Sequence, residues 1–137
     1  MKKIIGIFIC MLLMIPVLST TVIANPEPII EIGDIRGRTT LFYGAILIFE
    51  IKNSGDADAK DVIWNFAIKH PIIKKFNLSH DFTIDLIKAG DIKKLTVGLS
   101  WWGRFELTIT AYIPGGTPVS KTVNGFSIFI FIIIFPK

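Results

Sequence analysis

Cysteine is nearly missing from this chain: the 137 residues contain one, Cys10, and none follows it. Past that point disulfides, thiolate nucleophiles and cysteine-bound metals are excluded, so packing must hold the fold together. Histidine is almost as scarce, with only His70 and His80, and structural zinc takes four ligands. The two read as surface-loop histidines. No Gly-x-Ser-x-Gly elbow, His-Glu-x-x-His pair or phosphate-binding glycine loop occurs. Ser100 and Ser127 fall in strand patterns with no base beside them. No catalytic residue, cofactor or metal is therefore assigned, and the chain reads as no enzyme. Dense basic patches are missing too: no basic run exceeds two residues, as in Lys74-Lys75 and Lys93-Lys94, which argues against nucleic acid as a partner.

What is present begins with an address. Met1-Lys2-Lys3 gives a positive start, Ile4 to Leu18 is an apolar run broken by Gly6 and Pro16, and Val22 and Ala24 fit a cleavage before Asn25. Residues 1–24 thus read as a secretory signal peptide, with an uncleaved N-terminal anchor as the alternative. Cys10 lies mid-core after Ile9, which does not suit a lipid-attachment site. Without Lys2 and Lys3 the 15 basic residues fall to 13 against 11 acidic ones, so the exported part carries little net charge. The expected location is secreted or in the cell envelope, outside the cytoplasm.

Residues 25–137 are expected to form one domain. Apolar side chains recur at every second position in several segments. Leu41, Tyr43, Ala45, Leu47, Phe49 and Ile51 share one face; Val62, Trp64, Phe66 and Ile68 share another. Leu95, Val97 and Leu99 repeat the pattern, and Phe105, Leu107, Ile109, Ala111 and Ile113 give its cleanest case. Period two signals strands. Turn-forming residues at 53–58, 88–91 and 114–118 separate them. Strands are expected at 29–36, 41–52, 62–69, 80–87, 92–100, 104–113 and 119–134. That spacing, without an amphipathic helix, predicts an all-β chain: a single antiparallel, immunoglobulin-like β-sandwich of about seven strands.

The stretch from Ile51 to Trp64 (Ile-Lys-Asn-Ser-Gly-Asp-Ala-Asp-Ala-Lys-Asp-Val-Ile-Trp) resembles the CARDB family of cell-adhesion-related domains in bacterial and archaeal surface and secreted proteins. Asn53, Gly55, Ala57 and Val62 match its Asn-x-Gly-x-Ala turn and the valine after it, and Ile84 to Asp91, with Gly90, is similar to a later strand and glycine turn. The resemblance spans about residues 29–125 and implies an immunoglobulin-like fold with an adhesion or envelope role; it carries over no catalytic residue. Gly55 is expected in a left-handed backbone, and Trp64 on the third strand is expected in the core.

Four features remain open. Asp56, Asp58 and Asp61 share Asp-x-Asp spacing with calcium loops but lack the later ligands, and a polar turn is the plainer reading. Asn77-Leu78-Ser79 is a glycosylation sequon expected in a loop. Adjacent Trp101 and Trp102 point to opposite faces, so one is expected outside the core, as a candidate contact for a glycan or an exported or envelope protein. Phe126 to Phe135 has almost no polar side chain yet is too short to span a bilayer as a helix. It is expected as a final strand with one face in the core. The other face would be covered by the N-terminal strand, a second copy or a membrane surface.

Overall fold

Nine strands are laid down by the alternating segments. The computed structural model describes residues 25–73 and 77–135; the expected signal peptide, residues 1–24 with Cys10, lies outside them. The strands are β1 (Ile30–Ile32), β2 (Arg36–Thr40), β3 (Gly44–Asn53), β4 (Ala59–Lys69), β5 (Asn77–Ile87), β6 (Ile92–Leu99), β7 (Gly103–Tyr112), β8 (Val119–Ile128) and β9 (Phe131–Phe135). No helix among the described residues is long and apolar enough to cross a membrane.

The strands form two antiparallel sheets. In the smaller one β3 is central, with β6 on one edge and β1 and β2 end to end along the other. The larger runs β5-β4-β7-β8-β9. The chain crosses between sheets after β3, β5 and β6, as in an immunoglobulin-like sandwich. Ala45, Leu47, Phe49 and Ile51 of β3 face Val62, Trp64, Phe66 and Ile68 of β4 and Phe105, Leu107 and Ile109 of β7 across the core. Trp64 bridges the sheets: its ring meets Phe49 edge-on at 5.2 Å and stacks on Phe82 at 4.4 Å. Such contacts replace the inter-sheet disulfide that this sequence cannot make.

Nine strands instead of seven follow from one unexpected strand and one split. The expected strand 29–36 holds β1 and only the first residue of β2, because the pairing with β3 breaks between Ile32 and Arg36; the rest of β2 lies in residues expected to connect two strands. The expected strand 119–134 is a hairpin, turning at Phe129-Ile130 so that Ile132 and Ile134 lie opposite Ser127 and Gly125. Those two small, buried residues leave room for the returning isoleucines. The Ser127 hydroxyl has no hydrogen-bond partner among the described residues. Residues 41–43 are a turn, not the start of β3, since Gly44 takes φ +73° and Thr40 Oγ1 accepts from the Tyr43 N–H. β4 starts at Ala59, three residues before Val62. Its alternation shifts by one at Asp61, which stands at φ +53° in a gap of the β4–β5 ladder.

β5 starts at Asn77, so the sequon lies in a strand and not in a loop. His80 likewise projects from β5 beside Phe66 and Phe82, as part of an aromatic row, and is no loop histidine. His70 is in a loop, where its Nδ1 accepts from the Ile72 and Ile73 N–H groups.

Candidate docking surface at one end of the sandwich

The two ends of the sandwich are built from different chemistry. One holds the 53–58 and 88–91 connections and is organised around Asn53, a wholly buried polar side chain. Asn53 Oδ1 accepts from the N–H groups of Ile29 and Gly55, and Nδ2 donates to the carbonyls of Ala57 and Ile87. Its own backbone bonds Asp91 O and Gly90 N–H. Asn53, Gly55, Ala57 and Gly90 therefore belong to one polar knot that ties the front of the chain to two turns. Asp56 and Asp58 act in the same way, their carboxylates accepting from the backbone N–H groups of Glu27 and Ala89.

Gly55 corrects the expected left-handed backbone, because its φ is not positive. A Cβ there would sit 2.2 Å from Glu27 O and 2.5 Å from Ile29 N. Close approach of the entering chain requires the glycine. Gly90, at φ +80°, is the residue here that needs left-handed freedom.

The opposite end is apolar. Leu99 pairs with Ala45, which sets the 100–102 connection beside the turn at 41–43. Gly103 pairs with Ser127, which brings the turn at 129–130 alongside as well. A Cβ on Gly44 would lie 3.9 Å from Ile130, closing the group across the two sheets. On these turns Leu41 is 88% exposed, Phe42 91%, Tyr43 84%, Trp102 62% and Phe129 73%. One exposed apolar residue is ordinary, whereas a group on adjoining turns forms a contiguous exposed apolar patch. The adjacent tryptophans divide as their opposite directions require. Trp101 packs against the core and donates its Nε1–H to Arg104 O at 3.1 Å, while Trp102 stands outside, edge-on to Phe129 at 4.6 Å.

The apolar surface continues from this end onto the outer face of the larger sheet. Phe131 lies opposite Ile128, Ile133 opposite Phe126 and Phe135 opposite Asn124, with all three β9 side chains at least half exposed. The N-terminal strand does not cover them, because β1 pairs with β3 in the other sheet. Further across that outer face the side chains turn polar, with Thr108–Thr122 and Thr110–Ser120 hydroxyl pairs.

Phe129 is held at φ +52° in a two-residue turn whose first position favours glycine. Replacing it should therefore separate stability from contact. Phe129→Gly is expected to leave stability within about 1 kcal/mol of the parent, relief of strain offsetting the lost Trp102 contact. Urea unfolding measures that balance.

A recess of about 330 Å³ opens among these turns, lined by Tyr43, Leu99, Trp101, Trp102 and Phe129, with Ser100 as the other hydroxyl-bearing side chain besides Tyr43. A second groove, of about 690 Å³, follows the seam between β2 and β8–β9. Its charges are engaged with one another: Lys121 Nζ lies 3.3 Å from Asp34 and Arg36 lies 3.6 Å from the same carboxylate.

No family model and no curated protein matches this chain. Among solved structures, the β-glucosidase DesR from Streptomyces venezuelae, in complex with D-glucose, is similar at a TM-score of 0.39 and 16% identity. The alignment covers 72% of this chain and 15% of that enzyme, so the chain spans a small part of its length. Likeness at this level carries no argument about fold or chemistry.

Proposed function

We propose that this chain is a non-enzymatic β-sandwich module of the cell envelope or exterior, which docks onto a partner surface through its apolar end. The observation that carries the reading is the grouping of Leu41, Phe42, Tyr43, Trp102 and Phe129 on adjoining turns, each more than 60% exposed. The signal-like residues 1–24 and the resemblance of the 51–64 stretch to CARDB domains support an extracytoplasmic, adhesion-type role. Glycan binding through Trp102 is favoured less, since a sugar needs several convergent polar groups and the recess beside it offers two hydroxyls.

The test is rebinding. Envelopes from cells lacking the protein are mixed with the full chain, and the bound fraction is measured after washing. Phe42→Ser should lower retention by about fivefold or more, through the loss of one exposed anchor. Equal retention of parent and variant would count decisively against docking through this end.

A further inference from the structure

The acidic residues are distributed as unevenly as the apolar surface, although Lys52, Lys88 and Lys93 stand among them at the Asn53 end. Glu27, Asp56, Asp58 and Asp91 lie at the Asn53 end, where hydrogen bonds bring the entering chain and two turns together. The apolar turns 41–43, 100–102 and 129–130 contain no acidic residue. Close behind them stand Arg38, Lys69, Arg104 and Glu106, and Glu106 is tied to Lys69 at 3.0 Å. Arg38 and Arg104 are exposed and have no salt bridge among the described residues. The end thus carries apolar and aromatic tips with a cationic collar.

We propose that this end inserts into the interfacial layer of an anionic lipid bilayer, an inference that rests on the docking reading above and names its partner. Leu41, Phe42, Trp102 and Phe129 enter the boundary between headgroups and acyl chains, while Arg38 and Arg104 stay among the headgroups. Three properties fit that partner. Tryptophan and tyrosine are amphipathic and favour the interface, whereas leucine and phenylalanine go deeper. Polar backbone entering lipid must be satisfied internally. In the turn that carries the most exposed tips, Thr40 Oγ1 accepts from the Tyr43 N–H at 3.1 Å and donates to Gly44 O at 3.0 Å. The charge is complementary to anionic headgroups, each cation near such a surface contributing roughly fivefold in affinity.

A second copy fits less well. A two-fold contact between identical ends would set Arg38 and Arg104 of one copy against the same cationic patch on the other. Exposed Phe131 beside the 129–130 turn extends the apolar tip toward the β8–β9 corner, so the sandwich would enter tilted onto that corner.

The experiment uses the full chain throughout, so any contribution from residues 1–24 is common to parent and variants. Vesicles of phosphatidylcholine, with or without phosphatidylglycerol, carry brominated acyl chains that quench nearby indoles. The parent should bind the anionic vesicles and lose tryptophan emission, and Trp102→Phe should remove most of that quenching. Phe42→Ser should weaken binding by about tenfold. Arg104→Gln should weaken it by roughly fivefold on anionic vesicles and leave neutral ones unchanged. Phe42 is 91% exposed, so coincident urea unfolding of parent and Phe42→Ser checks that the fold is intact.

Absence of quenching, or equal vesicle affinity of parent and Phe42→Ser, overturns the lipid assignment. If envelope rebinding still depends on Phe42 in that case, docking stands with a protein or glycan as partner. If rebinding is also insensitive to Phe42, both readings fall.

Discussion

Replacing Asn53 with alanine is expected to destabilise the domain by about 3–4 kcal/mol, among the larger single effects this fold can give. The side chain is fully buried and makes four hydrogen bonds to backbone groups of Ile29, Gly55, Ala57 and Ile87. Alanine fills part of the volume but leaves two donors and two acceptors without partners, at full cost for the buried Ile87 carbonyl and at a smaller cost for the three part-buried groups. Equilibrium urea unfolding reads the loss directly. Aspartate at the same position gives a sharper test because its effect depends on pH. Asn53→Asp keeps an acceptor for Ile29 and Gly55, yet turns a carboxylate oxygen toward the carbonyls of Ala57 and Ile87. Burial and those carbonyls both disfavour the charged form, so its folded-state pKa rises above the unfolded value of about 3.9. A raised carboxyl pKa makes folding easier when the group is protonated. The penalty of Asn53→Asp, relative to the parent at the same pH, is therefore full at neutral pH and shrinks as pH falls toward the unfolded pKa. Asn53→Ala should show no such trend relative to the parent. A flat difference for both variants would mean that the donor side of the amide contributes little.

The same residue shows how far the fold was legible beforehand. Asn53, Gly55, Ala57 and Gly90 could be picked out because turn chemistry is local, and local chemistry is what a chain displays residue by residue. Alternation exposed the core faces of β3, β4 and β7 for the same reason. The two additional strands were harder to see. Ser-Ile-Phe-Ile-Phe-Ile-Ile-Ile-Phe contains no glycine, proline, asparagine or aspartate, and the hairpin forms there because a phenylalanine accepts a left-handed backbone while Gly125 and Ser127 make room for the returning strand. Only the inward position of those small residues hinted at large side chains on a strand beside them. The reason for Gly55 was hidden because it depends on the entering chain at Glu27 to Ile29, far away in sequence. The docking end was visible only in part. Trp101 and Trp102 announced themselves, but Leu41 and Tyr43 continue in sequence an alternation that in the structure starts only with β3 at Gly44. Which turns share an end of a sandwich is a property of its topology.

Gly125→Ala is expected to cost about 3 kcal/mol, because the position opposite it is already full. Gly125 pairs with Phe105 across β7 and β8, and a Cβ on Gly125 would lie 2.2 Å from the Phe105 ring. Phe105 is almost completely buried, so its ring has no solvent-facing route of escape. Room must come from the β8–β9 hairpin, where Ile134 lies opposite Gly125. Phe105→Leu alone should cost roughly 1–2 kcal/mol through the space it leaves. That space is where the new methyl group must go. The double variant should therefore be more stable than the sum of the two losses implies, by at least about 1 kcal/mol in a double-mutant cycle. Strict additivity would show that the alanine acts elsewhere, by restricting the backbone of β8. The coupling bears on function as well. β9 carries Phe131, Ile133 and Phe135 on its outer face, and its inward Ile132 and Ile134 lie beside Ser127 and Gly125 of β8 and against Gly37 of β2. A displaced hairpin should also shift Phe129 away from Trp102, so vesicle binding by Gly125→Ala should weaken and return in part in the double variant.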